Sequence, residues 1–462
     1  MVFSSLLFLF VFLPAVLLMY HVSPWRLKNL ILFLASLVFY AWGEPIYIAL
    51  MLLSTITDYF FGLLLDNPKY GKAKRKVILI ASIIINLGVL GFFKYADFLI
   101  GNLNALLGTN IPPTDLPLPI GISFYTFQSM SYIIDVYRRT SKAQRNWLDF
   151  ATFVALFPQL VAGPIVQYKT IAEQLRHRIV DNAMFAEGVR RFTIGLAKKV
   201  LLANNIGLLW NEISATSAGT MPTLTAWLGI IAFAFQIYFD FSGYSDMAIG
   251  LGLMFGFRFN ENFNKPYAAQ SITDFWRRWH ISLGTWFRDY VYIPLGGNRR
   301  GLWVQLRNIL IVWALTGIWH GASWNFLLWG LYFGLILAFE KWFALSWLSR
   351  LPRFIRHSYA ILLILLGWVF FAFDQLPNVF AYFTALFGAN DAPLWDRQSL
   401  YLLYTNAILL LLLVVASLPK REPGKGPLLH PALALTWHGA LLLMSIAYLV
   451  DATFNPFLYF RF

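Results

Sequence analysis

Long apolar runs separated by short polar connections set the character of this chain. They cover residues 2–20, 30–42 continuing to 65, 77–93, 224–239, 309–318, 324–338, 359–372, 401–418 and 433–450. A helix needs roughly 20 mostly apolar residues to cross about 30 Å of hydrocarbon. Counting weaker segments, the pattern predicts about eleven to thirteen spans. In lipid the backbone must satisfy its own hydrogen bonds, which leaves helices or closed barrels. These runs are too long and continuous for barrel strands, so the fold class is an all-α polytopic membrane protein. The first run lacks a basic leader and a small-residue cleavage site and contains Pro14, so it is expected to remain as a helix.

Some segments resist simple counting. Residues 98–107 are short for a span, and 119–137 are interrupted by polar side chains before Arg138 and Arg139. Re-entrant segments reconcile these loops with the charge pattern, provided protein shields them from lipid. Residues 157–163 (FPQLVAG), followed by Pro164, read as re-entrant because Pro and Gly at that density break a helix. Residues 187–202 carry Arg190, Arg191, Lys198 and Lys199 and read as an amphipathic helix lying in the cytoplasmic interface.

Composition agrees with the pattern. The 462 residues are 59% hydrophobic, 18% aromatic and only 13% charged, against about 25% charged in soluble domains. So few charges cannot coat a globule of this size, and membrane lipid is the solvent that fits. The net charge of +14 raises the question of nucleic acid. The basic residues, however, sit in short clusters between apolar runs, at 69–76, 138–145, 277–307, 350–356 and 420–425. That is the pattern of cytoplasmic loops beside anionic headgroups, and no nucleic-acid partner is expected. Arg26 and Lys28 follow the first run and 69–76 follows the third, which places the N-terminus outside. The chain has no cysteine, which excludes a disulfide, a thiolate nucleophile and a Cys-based metal site.

The least membrane-like stretch is 260–300, NENFNKPYAAQSITDFWRRWHISLGTWFRDYVYIPLGGNRR. Ser271 followed by Asp274 resembles a capping box opening a helix. On that helix Asp274 pairs with Arg278 at i+4 and Arg277 at i+3, and Trp276 shares a face with His280. Gly284 interrupts before Trp286, Arg288 and Tyr290, and Pro294 with Gly296-Gly297-Asn298 forms a turn. The aromatic content is too high for a solvated loop. A short helical pair at the cytoplasmic side fits better, offering Arg277, Arg278 and Arg288 to a phosphate-bearing substrate.

His320 lies among apolar and small polar neighbours. Counted from Arg307, 13 residues of helix put it about 20 Å into the membrane, where an ionisable group marks a functional site. Gly317 and Gly321 flank it at a spacing that suits either close helix packing or room for a ligand. His280 is either a second active-site group or an interfacial histidine bonded to Asp274. His21, His177, His357, His430 and His438 fall in loops or near span ends and receive no role. Asp240, Asp246 and Glu261 flank a polar-aromatic run (YFDFSGYS, 238–245) that reads as structural packing rather than as a metal or proton site. No Walker A, GxSxG, HExxH or strand-borne GxGxxG motif occurs, and no metal is expected.

Several of these segments carry a resemblance: MVFSS at 1–5, PIGISFYTFQSMSYIIDVY at 119–137, FPQLVAGPIV at 157–166, YFDFSGYS at 238–245, residues 262–298, and TGIWHGASWN at 316–325. The chain resembles the membrane-bound O-acyltransferases of the bacterial branch that acetylates exopolysaccharides such as alginate and cellulose. The resemblance implies about eleven helices around a funnel, one domain over 1–462 with a catalytic core at about 117–345, and His320 and His280 as the catalytic pair. It also implies acetyl transfer at the bacterial inner membrane from a cytoplasmic donor. Acetyl-CoA is then a co-substrate rather than a resident cofactor, and a periplasmic acetyltransferase or accessory subunit is the partner. The competing class is a transporter or flippase without chemistry of its own; no inverted repeat supports it.

Overall fold

The computed structural model describes residues 1–419 and 431–451, so the basic cluster at 420–425 and His430 lie outside the described residues. Among the described residues the chain is helical, without strands. Nine helices among the described residues are long and apolar enough to cross a membrane: Ile48–Leu65, Lys72–Leu107, Asn182–Ser214, Thr223–Met254, Leu302–His320, Trp324–Leu348, Arg353–Ala372, Arg397–Ser417 and Ala432–Asp451. Phe8–Val22 and Leu376–Leu386 are shorter apolar helices. The run 30–65 divides into helices Trp25–Ala41 and Ile48–Leu65.

Residues 98–107, expected to stand apart, instead continue the preceding run as one 36-residue helix, Lys72–Leu107. Its length of about 54 Å exceeds a bilayer with its headgroups. Lys94 and Asp97, which interrupt the apolar pattern, do not interrupt the backbone ladder.

The chain folds as two compact units, residues 1–193 with 244–261, and residues 194–243 with 262–462. In the first, 119–137 forms a continuous helix, Ile122–Arg138, buried over nearly its whole length. Its polar residues therefore face protein, not lipid. Arg75 ties the ends of two helices together, donating to the Leu65 carbonyl at 2.8 Å and to the Tyr137 carbonyl at 2.8 Å. The Pro/Gly-rich segment at 157–163 is broken as expected. Helix Trp147–Ala155 ends, Leu156 turns the chain, and one short turn, Phe157–Leu160, follows. Phe157 packs on Phe12 and Phe39 at 5.4 and 5.5 Å between ring centroids, and its N–H donates to Ser36 Oγ at 3.0 Å. The irregular backbone is thereby kept out of lipid.

Residues 187–202 do not form a separate interfacial helix. They are the middle of the 33-residue helix Asn182–Ser214, and two of their charges, Arg191 and Lys199, are paired within protein. Arg191 pairs with Asp246 at 2.7 Å and with Glu261 at 2.5 Å, inside the first unit. In the second unit Lys199 pairs with Asp240 at 2.5 Å, both side chains shielded from solvent. The carboxylates around YFDFSGYS are thus held in ion pairs, in keeping with structural packing.

In the second unit the helices Leu302–His320 and Trp324–Leu348 pack at glycines. A Cβ at Gly317 would overlap the Phe326 carbonyl and lie 3.3 Å from Gly330 Cα. One at Gly321 would overlap the Phe326 ring, and one at Gly330 the Trp313 carbonyl. Of the two readings of this spacing, close packing is the one realised, since the space beside these glycines is already filled.

Candidate active site

The stretch 260–300 builds one wall of the site. Ser271 caps the turn Ile272–Trp276, its side chain accepting from the Asp274 N–H. A second acceptor comes from far along the chain. Glu340 is fully buried, and its carboxylate accepts from the N–H groups of Ile272 and Thr273, each at 2.7 Å. The turn ends at Trp276, before His280, so Trp276 and His280 do not share a helix as the spacing suggested. His280 instead occupies an elbow in left-handed backbone, φ 46° and ψ 52°, at the start of helix Ile281–Phe287. Gly284 lies within that helix and does not interrupt it.

A non-glycine residue in left-handed backbone costs energy and is held by its surroundings. Here the clamp is Asn262 and Asn264. The Ile281 N–H donates to the Asn262 carbonyl at 2.9 Å, Ser282 Oγ donates to Asn262 Oδ1 at 2.9 Å, and the Asn264 N–H donates to the Arg278 carbonyl at 2.9 Å. Further on, the turn predicted at 294–298 is present, with φ of 109° at Gly296 and 57° at Gly297. Buried Asn308 clasps it by donating to the Leu295 and Gly297 carbonyls.

His320 is the last residue of helix Leu302–His320. Only 6% of it is exposed, and rings surround it: Trp319 at 4.9 Å, Trp329 at 4.9 Å and Phe371 at 5.3 Å. His280 is 2% exposed, with Phe241 at 4.8 Å and Trp319 at 6.0 Å. Neither ring nitrogen of His280 has a hydrogen-bond partner among the described residues, so it is not the histidine bonded to Asp274. Burial pushes its imidazole down to about 3, which leaves it neutral.

The two histidines, Arg277 and Arg288 line one cavity of about 510 Å³. Arg278 is not among its walls; its guanidinium donates to Asp274 Oδ1 at 2.8 Å instead. Arg288 bonds Asp289 at 2.8 Å and still lines the cavity. Arg277 has no ion pair among the described residues. Beside this cavity, sharing Arg277, Arg288, Tyr292 and Lys341 as walls, lies a second hollow of about 730 Å³ that adds Arg299 and Arg300. The inner space combines aromatic rings with the two histidines and three cations, and the outer one shares those cations and adds two more. Such a pair can admit a ligand with an anionic head and an apolar or small neutral end.

Sequence reading missed Glu340, Lys341, Asn262 and Asn308. The one available signal was the charged pair Glu340-Lys341 inside an otherwise apolar helix. Among the described residues no three His, Asp or Glu side chains gather as a metal site would require.

Comparison with known proteins gives this geometry its family. The profile of the membrane-bound O-acyltransferase family matches residues 138–374. The chain is 42% identical, over the full length of both, to a protein of Azotobacter vinelandii named "Probable alginate O-acetylase AlgI". It is 44% identical to the protein of that name in Pseudomonas aeruginosa, covering 93% of this chain and 83% of the relative. It is 36% identical to the peptidoglycan O-acetyltransferase of Helicobacter pylori, covering 85% of this chain and 81% of the relative. A multi-pass helical chain, with paired histidines on a cavity and this similarity from end to end, belongs to the membrane-bound O-acyltransferase family, in its alginate O-acetylation branch, and is an O-acyltransferase.

Proposed function

We propose that the protein moves acetyl groups from cytoplasmic acetyl-CoA across the bacterial inner membrane for O-acetylation of an exopolysaccharide such as alginate, through a periplasmic partner. The observation that carries this reading is the arrangement of the cavity, with His280 and His320 inside and Arg277, Arg288, Arg299, Arg300 and Lys341 around the adjoining hollow. Clustered guanidinium groups suit the phosphates of the donor, and the aromatic inner space suits its small acyl end. The basic wall belongs to the cytoplasm and the N-terminus to the periplasm.

In the reaction the acceptor hydroxyl attacks the thioester carbonyl while His320 takes its proton as general base. Collapse of the adduct expels the thiolate, which recovers that proton. His280, neutral and without a protein partner for either nitrogen, serves as the second active-site group, holding the reacting end by a hydrogen bond. The names of the relatives support acetyl as the acyl group and a cell-envelope polymer as its destination.

The test is His320→Ala in cells that make the polymer. Acetyl esters should disappear from the polymer while the variant reaches the membrane at the normal level. Normal acetylation in that variant would overturn the assignment.

A further inference from the structure

Two buried hydrogen-bond donors in the wall of the inner cavity have nothing to donate to. Among the described residues Thr273 Oγ1 and Trp276 Nε1 both lack a partner, and both residues line the cavity that holds His280 and His320. They sit three residues apart on the capped turn Ile272–Trp276, which places them on one face. The turn is fixed from behind, since Glu340 holds the Thr273 N–H at 2.7 Å. The Trp276 ring is locked by Trp313 at 4.5 Å, Phe333 at 5.0 Å and Trp329 at 5.6 Å. Trp329 also touches His320, at 4.9 Å, so the indole and the imidazole are separated by a single ring.

An indole N–H can only donate, so the group it serves must be an acceptor. Leaving such a donor buried and unserved costs about 1–3 kcal/mol, which argues that the place is used. Arg277 and Arg288 border both spaces, and Arg299 and Arg300 the outer hollow alone. On the acyl-transfer reading, the acceptor offered to these donors is a thioester carbonyl, neutral on arrival.

Resting on the acyl-transfer reading above, we infer that Thr273 Oγ1 and Trp276 Nε1 are catalytic groups that together receive the carbonyl oxygen of the acyl donor and stabilise the negative charge it acquires. As the acceptor oxygen bonds to the carbonyl carbon, the C=O π pair moves onto the carbonyl oxygen, which the two donors receive. The acceptor proton passes to His320. When the C=O re-forms, the C–S bond breaks, and the sulfur leaves with its electron pair and takes the proton from His320. Both donors are fixed in place before the charge appears, the condition under which such groups lower a barrier most.

The experiment is steady-state release of free thiol from acetyl-CoA by the purified full chain in detergent. The protein has no cysteine, so a thiol reagent reports only the leaving group. Trp276→Phe keeps an aromatic ring and removes the N–H; Thr273→Val keeps the shape and removes the hydroxyl; Thr273→Ser restores it. Losing one such donor lowers kcat by about 100-fold or more in characterised sites. Each of the first two variants should therefore lose at least tenfold in kcat with KM for acetyl-CoA changed less than threefold, and Thr273→Ser should recover most of the rate. If both retain kcat within twofold of wild type while His320→Ala is inactive, the two donors are only packing and this inference falls, with the acyl-transfer reading intact. If His320→Ala still releases thiol at the wild-type rate, the acyl-transfer reading itself falls. Should Trp276→Phe fail to accumulate, the comparison of Thr273→Val with Thr273→Ser decides alone.

Discussion

Glu340→Ala is the change whose effect is most directly worked from the structure. The carboxylate is fully buried, and its two oxygens each accept a backbone N–H, from Ile272 and Thr273, at 2.7 Å. Truncation leaves both N–H groups buried without an acceptor. Each orphaned donor costs about 1–3 kcal/mol, so the pair costs about 2–6 kcal/mol, more than loss of an ordinary cap, at about 1 kcal/mol. For a unit of 150–250 residues each kcal/mol lowers the melting midpoint by about 2–4 °C. The expected fall is therefore at least about 4 °C, read by thermal unfolding of the purified protein in detergent. Glu340→Gln keeps one oxygen acceptor and should fall between. Because the turn leads directly into Arg277 and the His280 elbow, thiol release from acetyl-CoA should drop alongside the midpoint. A Glu340→Ala protein that melts within 1 °C of wild type, by the same scale, would refute the view that Glu340 holds this wall.

Three further expectations follow from the same geometry. Gly317→Leu should drive apart the two helices that meet there, costing about 1–3 kcal/mol or more, and should lower membrane levels in immunoblots; an undiminished level with full activity would count against the packing described. Arg277→Ala should raise the KM for acetyl-CoA several-fold with little change in kcat, because it removes binding shared by ground and transition states; an unchanged KM would remove Arg277 from the donor site. Burial holds the His280 imidazole below its ordinary range, at about 3, so the unfolded chain takes up that proton first. Stability from this group is complete above about pH 6.5 and is lost as pH falls from there toward about 3. Melting midpoints taken at pH 7 and pH 5 should show a fall that is smaller in His280→Gln, and an equal fall in the variant would reject this origin.

Much of the molecule was legible in the residue pattern, and the failures share a cause. Apolar runs foretold the spans because a bilayer imposes a length. Ser271 foretold a cap because capping is local chemistry. Arg277 and Arg278, by contrast, look alike in sequence, and one lines the cavity while its neighbour is bonded to Asp274. Local spacing pointed to the Asp274–Arg278 pair, which is present; it did not reveal that the turn stops at Trp276 or that Arg277 lines a cavity. Glu340 acts across more than sixty positions of chain on Ile272 and Thr273, so no window of sequence contains the pair. Residues 187–202 looked like an interfacial helix because their charges were visible and the partners, Asp246, Glu261 and Asp240, were distant. In each case the sequence displays the groups, and only the fold decides what they meet.

The glycine seam between Leu302–His320 and Trp324–Leu348 carries a consequence for anyone seeking to redesign the protein. Where main chain rests on main chain, there is no side chain to trim and no slack to exploit, so the shelf that presents His320 is a poor place to introduce diversity. The wall at 271–292 is built instead from side chains on short turns, and those among them without a part in the chemistry can be replaced. A combinatorial library aimed at bulkier acyl groups belongs at Phe287 and Tyr292, which line the cavity, with the seam left untouched as the fixed datum against which the chamber is enlarged.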